Sequence, residues 1–155
     1  MNIGVIYFSQ TGNTHSVAMK VKEKLIEQGH TVGIERLKVI GDFKPRQKNI
    51  QFEALPDIEQ YDGIVFAAPV QAFSLCQPMT RYLEQVPSLK EKKVALYVTK
   101  HMRFNWTGGN QAINKMKKMC RAKEADLGET GIIVWSSDER EQMINDVVAK
   151  ISQFF

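Results

Sequence analysis

Cysteine is scarce: the 155 residues contain only Cys76 and Cys120. Two cysteines provide neither a disulfide framework nor a metal-ligand cluster, so no metal is expected and a reducing, cytoplasmic setting is the plain reading. Histidine is nearly as sparse. His15 and His30 read as helix-surface residues, and no second histidine or carboxylate accompanies His101 to form a relay. No catalytic residue is therefore assigned. Long apolar runs are missing too, and none approaches the roughly 20 residues a membrane helix needs. The run "NIGVIYF" opens without a basic leader, so no export signal is expected. Repeats, low-complexity tracts and linkers are also absent, and one domain over 1–155 is expected. Two phosphate-binding fingerprints are missing: neither "GxxxxGK[ST]" nor "GxGxxG" occurs.

What is present is an ordinary globular balance, 43% apolar and 25% charged residues. Five apolar runs read as strands: Asn2–Phe8, Thr31–Val39, Gly63–Ala68, Lys93–Val98 and Gly131–Trp135. Several are continuously apolar, as expected when both faces of a strand are covered. Helical stripes lie between them: Val17, Val21 and Leu25; Met79, Leu83 and Val86; Ile113, Met116 and Cys120; and Met143, Ile144, Val147, Val148 and Ile151. This alternation predicts a parallel sheet with helices on both sides. The segment Ile40–Tyr61, with Pro45 and Pro56, reads as a long connection holding at most one short helix over Asn49–Leu55.

Charge is unevenly spread. The net charge is +4, yet Lys100–Lys123 holds seven cations and no acid, whereas seven acids follow from Glu124 onward. Such blocks are either solvated helix faces or a surface that attracts an acidic partner or a phosphate. Lys115, Lys117 and Lys118 do not track one helical face and no recognition motif accompanies them, so no nucleic-acid role is expected.

The stretch "SQTGNT", Ser9–Thr14, stands between the first strand and the first helix. A loop there turns backbone amides outward at the positive end of a helix dipole. Ser9, Thr11 and Thr14 add hydroxyl donors, Gly12 permits a close turn, and Asn13 or Thr14 would cap the helix. With Gln10 they suit a phosphate monoester held by neutral donors. Two further strand ends, Ala68–Pro78 and Thr99–Gly109, would emerge at the same carboxyl edge, where ligands bind beside the switch in strand order. They carry Phe73, Phe104 and Trp106, aromatics suited to a flat ring, although one or two such rings commonly close the top of a core.

On these residues the chain resembles the flavodoxin family of flavin mononucleotide (FMN) proteins. Ser9, Thr11, Gly12 and Thr14 match its phosphate loop, Ser/Thr-x-Thr-Gly-x-Thr, and Tyr61–Val70 and Leu89–Lys100 resemble its third and fourth strands. The resemblance covers nearly the whole chain. It implies a flavodoxin-like α/β three-layer sandwich with a five-stranded parallel sheet in the order 2-1-3-4-5. It also implies FMN as cofactor, with the phosphate on Ser9, Gln10, Thr11, Gly12, Asn13 and Thr14. The ring would lie against Pro69, Val70, Gln71, Ala72, Phe73 and Ser74, and against Thr99, Lys100, His101, Phe104 and Trp106. Two features depart from electron-carrying members of the family. Pro69–Ser74 lacks the glycine whose peptide flips beside the flavin N5, and the chain is basic where those carriers are acidic.

The leading functional expectation is a redox protein that carries electrons through non-covalently bound FMN between partner proteins, acidic ones included. The alternative is an NAD(P)H-dependent FMN reductase acting on a quinone or similar acceptor, with "TGG" at Thr107–Gly109 opening space above the ring. A non-redox binding module on the same fold is the third. Cys76 reads either as a thiol near the flavin or as a small buried residue at a helix start.

Overall fold

The computed structural model describes residues 1–155, apart from the side chain of Asn105. The elements run β1 (Asn2–Tyr7), α1 (Asn13–Glu27), β2 (Thr31–Arg36), β3 (Gly63–Gln71), β4 (Ser74–Leu75), α2 (Gln77–Gln85), β5 (Lys93–Lys100), a 3-10 turn (Asn105–Thr107), α3 (Gly109–Ala122), β6 (Asp126–Val134) and α4 (Arg140–Phe154). Five strands lie parallel in the order β2-β1-β3-β5-β6, and short β4 pairs antiparallel with the end of β3. Counting the parallel strands alone, this is the expected 2-1-3-4-5 sandwich.

The period of two in the central strands builds two cores. Ile3, Val5, Tyr7, Val65, Ala67, Ala95 and Tyr97 pack with Val17, Val21 and Leu25 of α1 and Ile144, Val147 and Ile151 of α4. Ile6, Ile64, Phe66, Val94, Leu96 and Val98 face Met79, Tyr82 and Leu83 of α2 and Ile113, Met116 and Cys120 of α3. Burying one such large side chain is worth about 1.5–3 kcal/mol. The central strands therefore hold the carboxyl edge firmly in register.

Several elements differ from the sequence expectation, and the second strand stops at Arg36 rather than Val39. No helix forms over Asn49–Leu55. That stretch instead turns back on the chain, with Val39 bridged to Phe52 and Ile40 N–H bonded to the Gln51 carbonyl at 2.8 Å. In place of a helix, Leu37, Ile58 and Tyr61 cover this end of the sheet. The Tyr61 ring lies flat on β1 and β2, because a Cβ at Gly4 or Gly33 would stand 2.5 and 2.3 Å from its atoms. The last strand begins at Asp126, not Gly131, since an edge strand tolerates the charges of "DLGET". The third strand continues to Gln71 and folds back as a β-hairpin where an open loop was expected.

Candidate functional site

Ser9–Thr14 forms the expected tight loop at the carboxyl end of β1. Its internal bonds are made by Ser9, which is buried and whose Oγ accepts from the amides of Gly12 (3.1 Å) and His15 (3.3 Å). Neither Asn13 nor Thr14 caps α1. The N-cap is Gly12, left-handed at φ 96°, and no side chain caps the helix or places an acid in its first turn. Of the first-turn amides, that of His15 is taken by Ser9 Oγ, which leaves those of Asn13 and Thr14 available at the positive end of the helix. Thr14 is buried, with its Oγ1 2.8 Å from Thr99 Oγ1 and its carbonyl accepting from Tyr97 Oη at 2.9 Å. Of the two paired threonine hydroxyls, one donates to the other and one proton is left over. Gln10 and Thr11 are exposed.

The second stretch is the β3–β4 hairpin, in which Val70 pairs with Leu75 and Gln71 with Ser74. A two-residue hairpin turn of this hand needs positive φ at both central positions, normally supplied by Asn-Gly. Here Ala72 (φ 48°) and Phe73 (φ 61°) take it, at a cost of about 1–2 kcal/mol each. The turn is pressed onto the third stretch, since a Cβ on Gly108 would lie 2.4–2.7 Å from the Phe73 backbone. The glycines of "TGG" therefore do not open space above a ring. Gly108 admits the hairpin backbone, and Gly109 admits the side chains of Lys100 and Ile132.

A cleft of about 210 Å³ joins the three stretches, lined by Gln10, Thr11, Asn13, Thr14, Pro69, Val70, Gln71, Thr99, Lys100 and His101. All ten were anticipated from sequence. Ser9 and Gly12 shape the loop behind it, while Ala72, Phe73, Ser74, Phe104 and Trp106 lie outside its lining. The three aromatics are exposed and cluster together, Phe104 stacked on Trp106 with ring centroids 6.0 Å apart and Phe73 tilted against Trp106 at 5.8 Å. Gln71 Nε2 donates to Gln10 Oε1 at 2.8 Å, linking the two banks, and Gln71 Oε1 is a buried acceptor without a protein partner. No carboxylate lines the cleft. Lys100 is the one Lys or Arg in its lining, and burial lowers the Lys100 pKa.

Two contributors were missed from sequence. Arg36 donates to the Ser9 carbonyl and braces the loop from β2. The parallel register that pairs Tyr7 with Arg36 places it there, so aligning the ends of the first two strands would have found it. Tyr97 anchors α1 from the face of the sheet on which that helix packs, a contact visible only in three dimensions. His15 is half-buried rather than a plain surface residue, its Nδ1 2.5 Å from Tyr7 Oη. Cys76 and Cys120 are both buried, and burial pushes each thiol up to about 12, which makes them inert packing residues. Among the described residues no group of three or more His, Cys, Asp or Glu could hold a metal, and no helix is long and apolar enough to cross a membrane.

Among solved structures, the chain is similar to a flavodoxin from Streptococcus pneumoniae at 13% identity, with full coverage of both chains and a TM-score of 0.70. Flavodoxin 2 from Bacillus cereus gives 16% identity, full coverage of both and a TM-score of 0.69. A Fusobacterium nucleatum flavodoxin variant bound to flavin mononucleotide matches at 15% identity and a TM-score of 0.67, over 99% of this chain and 96% of its own. At such identities the likeness shows the fold. No curated protein matches significantly. The family model described as the flavodoxin domain matches residues 4–132. With that match spanning most of the sequence, the chain belongs to the flavodoxin domain family.

Proposed function

We propose that the chain binds FMN in this cleft and carries electrons through it between partner proteins. The observation that carries the reading is the donor set. The Asn13 and Thr14 amides at the start of α1 and the hydroxyls of Thr11 and Thr14 belong to residues that line a cleft without a carboxylate, a donor set that suits a phosphate dianion. The neighbouring bank suits a flavin ring: Gln71 Oε1 awaits a donor such as the ring imide, and Pro69 and Val70 offer an apolar wall. Phe73, Phe104 and Trp106, exposed and clustered together, supply an aromatic cover. The flavin would provide the electron-accepting chemistry, and the protein its orientation and electrostatic surroundings.

The aromatic cluster also leaves a face for partner contact, and α3 begins beside it. Lys115, Lys117 and Lys118 on α3 make no ion pair within 4 Å among the described residues, so their field favours an acidic redox partner. Reversing these three lysines to Glu should slow electron transfer at low salt and change it far less at high salt. Anaerobic mixing of the FMN-loaded protein with NADH and with NADPH separates carrier from reductase. The carrier reading expects no fast bleaching of the flavin spectrum without a partner protein, and fast bleaching would establish the reductase instead.

A further inference from the structure

We propose that Lys100 is the charge-setting residue of this cleft: its buried ammonium favours the flavin in its more negative, reduced form over the oxidised form. The inference rests on the FMN reading above and goes beyond it by naming the residue that biases the cofactor's redox balance.

Lys100 is the only charged side chain among the described residues that is buried. Its Nζ donates to the Phe104 carbonyl at 2.7 Å and to Thr107 Oγ1 at 2.9 Å, both neutral acceptors. No carboxylate lies within 4 Å of it. A buried cation without a counter-ion is costly unless something nearby repays it. The surroundings deepen the imbalance. The side-chain stem passes Gly109, where a Cβ would lie 3.1 Å from Lys100 Cδ, so the ammonium sits beside the N-terminus of α3. That helix, too, has no acid in its first turn and no capping side chain. Cation and helix dipole therefore add, and of the two it is Lys100 that lines the cleft.

Pinning the 101–108 loop does not by itself call for a charge, since a neutral donor would satisfy two neutral acceptors. What a charge adds is stabilisation of negative charge nearby. Each electron the flavin accepts makes it more negative unless a proton follows. A fixed cation at the cleft wall then strengthens binding of the reduced form relative to the oxidised form.

The test measures dissociation constants of oxidised and anaerobically reduced FMN for the wild type, Lys100→Met and Lys100→Arg, together with the midpoint potential of each complex. Lys100→Met, which keeps the apolar stem, should lower the ratio of oxidised to reduced dissociation constants at least tenfold, equivalent to a two-electron potential about 30 mV more negative. Lys100→Arg should keep the ratio near that of the wild type. Lys100→Gln, which retains an amide donor for the Phe104 carbonyl, serves if the Met variant does not fold. A ratio unchanged in the neutral variant overturns the proposal and leaves Lys100 as a loop anchor. Failure of the wild type to bind either form of FMN removes the FMN reading and this inference together, whereas binding with an unchanged ratio removes only the latter.

Discussion

On the β1–α1 bank of the cleft, the left-handed backbone is carried by a glycine, Gly12, whereas the facing hairpin places Ala72 and Phe73 there. The first bank is braced from within by Ser9 and tied to β5 by the Thr14–Thr99 pair. The second holds a buried acceptor without a partner, Gln71 Oε1, and exposes its aromatics. One bank is thus relaxed and preorganised, and the other is held in place by contacts with the 101–108 loop. A site for a two-part ligand gains from both. A phosphate needs fixed donors, while a ring that must meet partners needs an accessible, adjustable wall.

The largest effect should come from breaking the contact that holds the second bank. Gly108→Val places a Cβ inside the Phe73 backbone at a position with φ 107°. Strain of about 1–3 kcal/mol and overpacking of about 1–3 kcal/mol act together. Urea denaturation should show a loss of several kcal/mol, or the hairpin should detach and ring binding weaken. Unchanged stability together with unchanged flavin affinity would show that the hairpin does not depend on this contact.

Next in size is the first bank. Thr11→Ala with Thr14→Ala removes two hydroxyls, and a hydrogen bond to a charged group is worth about 1.5–3 kcal/mol. Affinity for FMN should fall about tenfold or more while riboflavin binding changes little, as followed by flavin fluorescence. Equal losses for the two flavins would mean that the threonines serve the fold rather than the phosphate.

The contrast between the banks also explains what the sequence made legible. The phosphate bank is written locally, because hydroxyls, glycine and helix start fall within six consecutive residues after a strand. The ring bank depends on tertiary pairing. Nothing in "PVQAFSL" signals a hairpin, since Ala-Phe is a poor turn dipeptide and the compensating contact comes from Gly108, far along the chain. The missing helix over Asn49–Leu55 has a similar cause: Tyr61 covers β1 and β2 because Gly4 and Gly33 leave it room. Charge hid the start of β6, where Asp126 and Glu129 lie exposed on an edge strand.

Smaller changes sharpen the comparison. Ala72→Gly should relieve a left-handed Ala and raise stability by up to about 1 kcal/mol, net of the entropy glycine adds to the unfolded chain. A melting temperature that falls would show that the turn is not strained at Ala72. Smaller still, Trp106→Phe and Phe73→Leu should alter flavin circular dichroism or tryptophan quenching on FMN binding with little effect on stability, because both rings are exposed. If neither spectrum changes, Trp106 and Phe73 lie away from the ring and Phe104 is the remaining candidate.

The central claim is that the β1–α1 bank holds a phosphate, and competition between FMN and riboflavin for the apoprotein tests it most directly. Titration at fixed salt should show FMN binding at least tenfold more tightly, and inorganic phosphate should weaken FMN binding while leaving riboflavin binding intact. Equal affinities for the two flavins would contradict the account, because the donors around Thr11 and Thr14 would then have no ligand to meet.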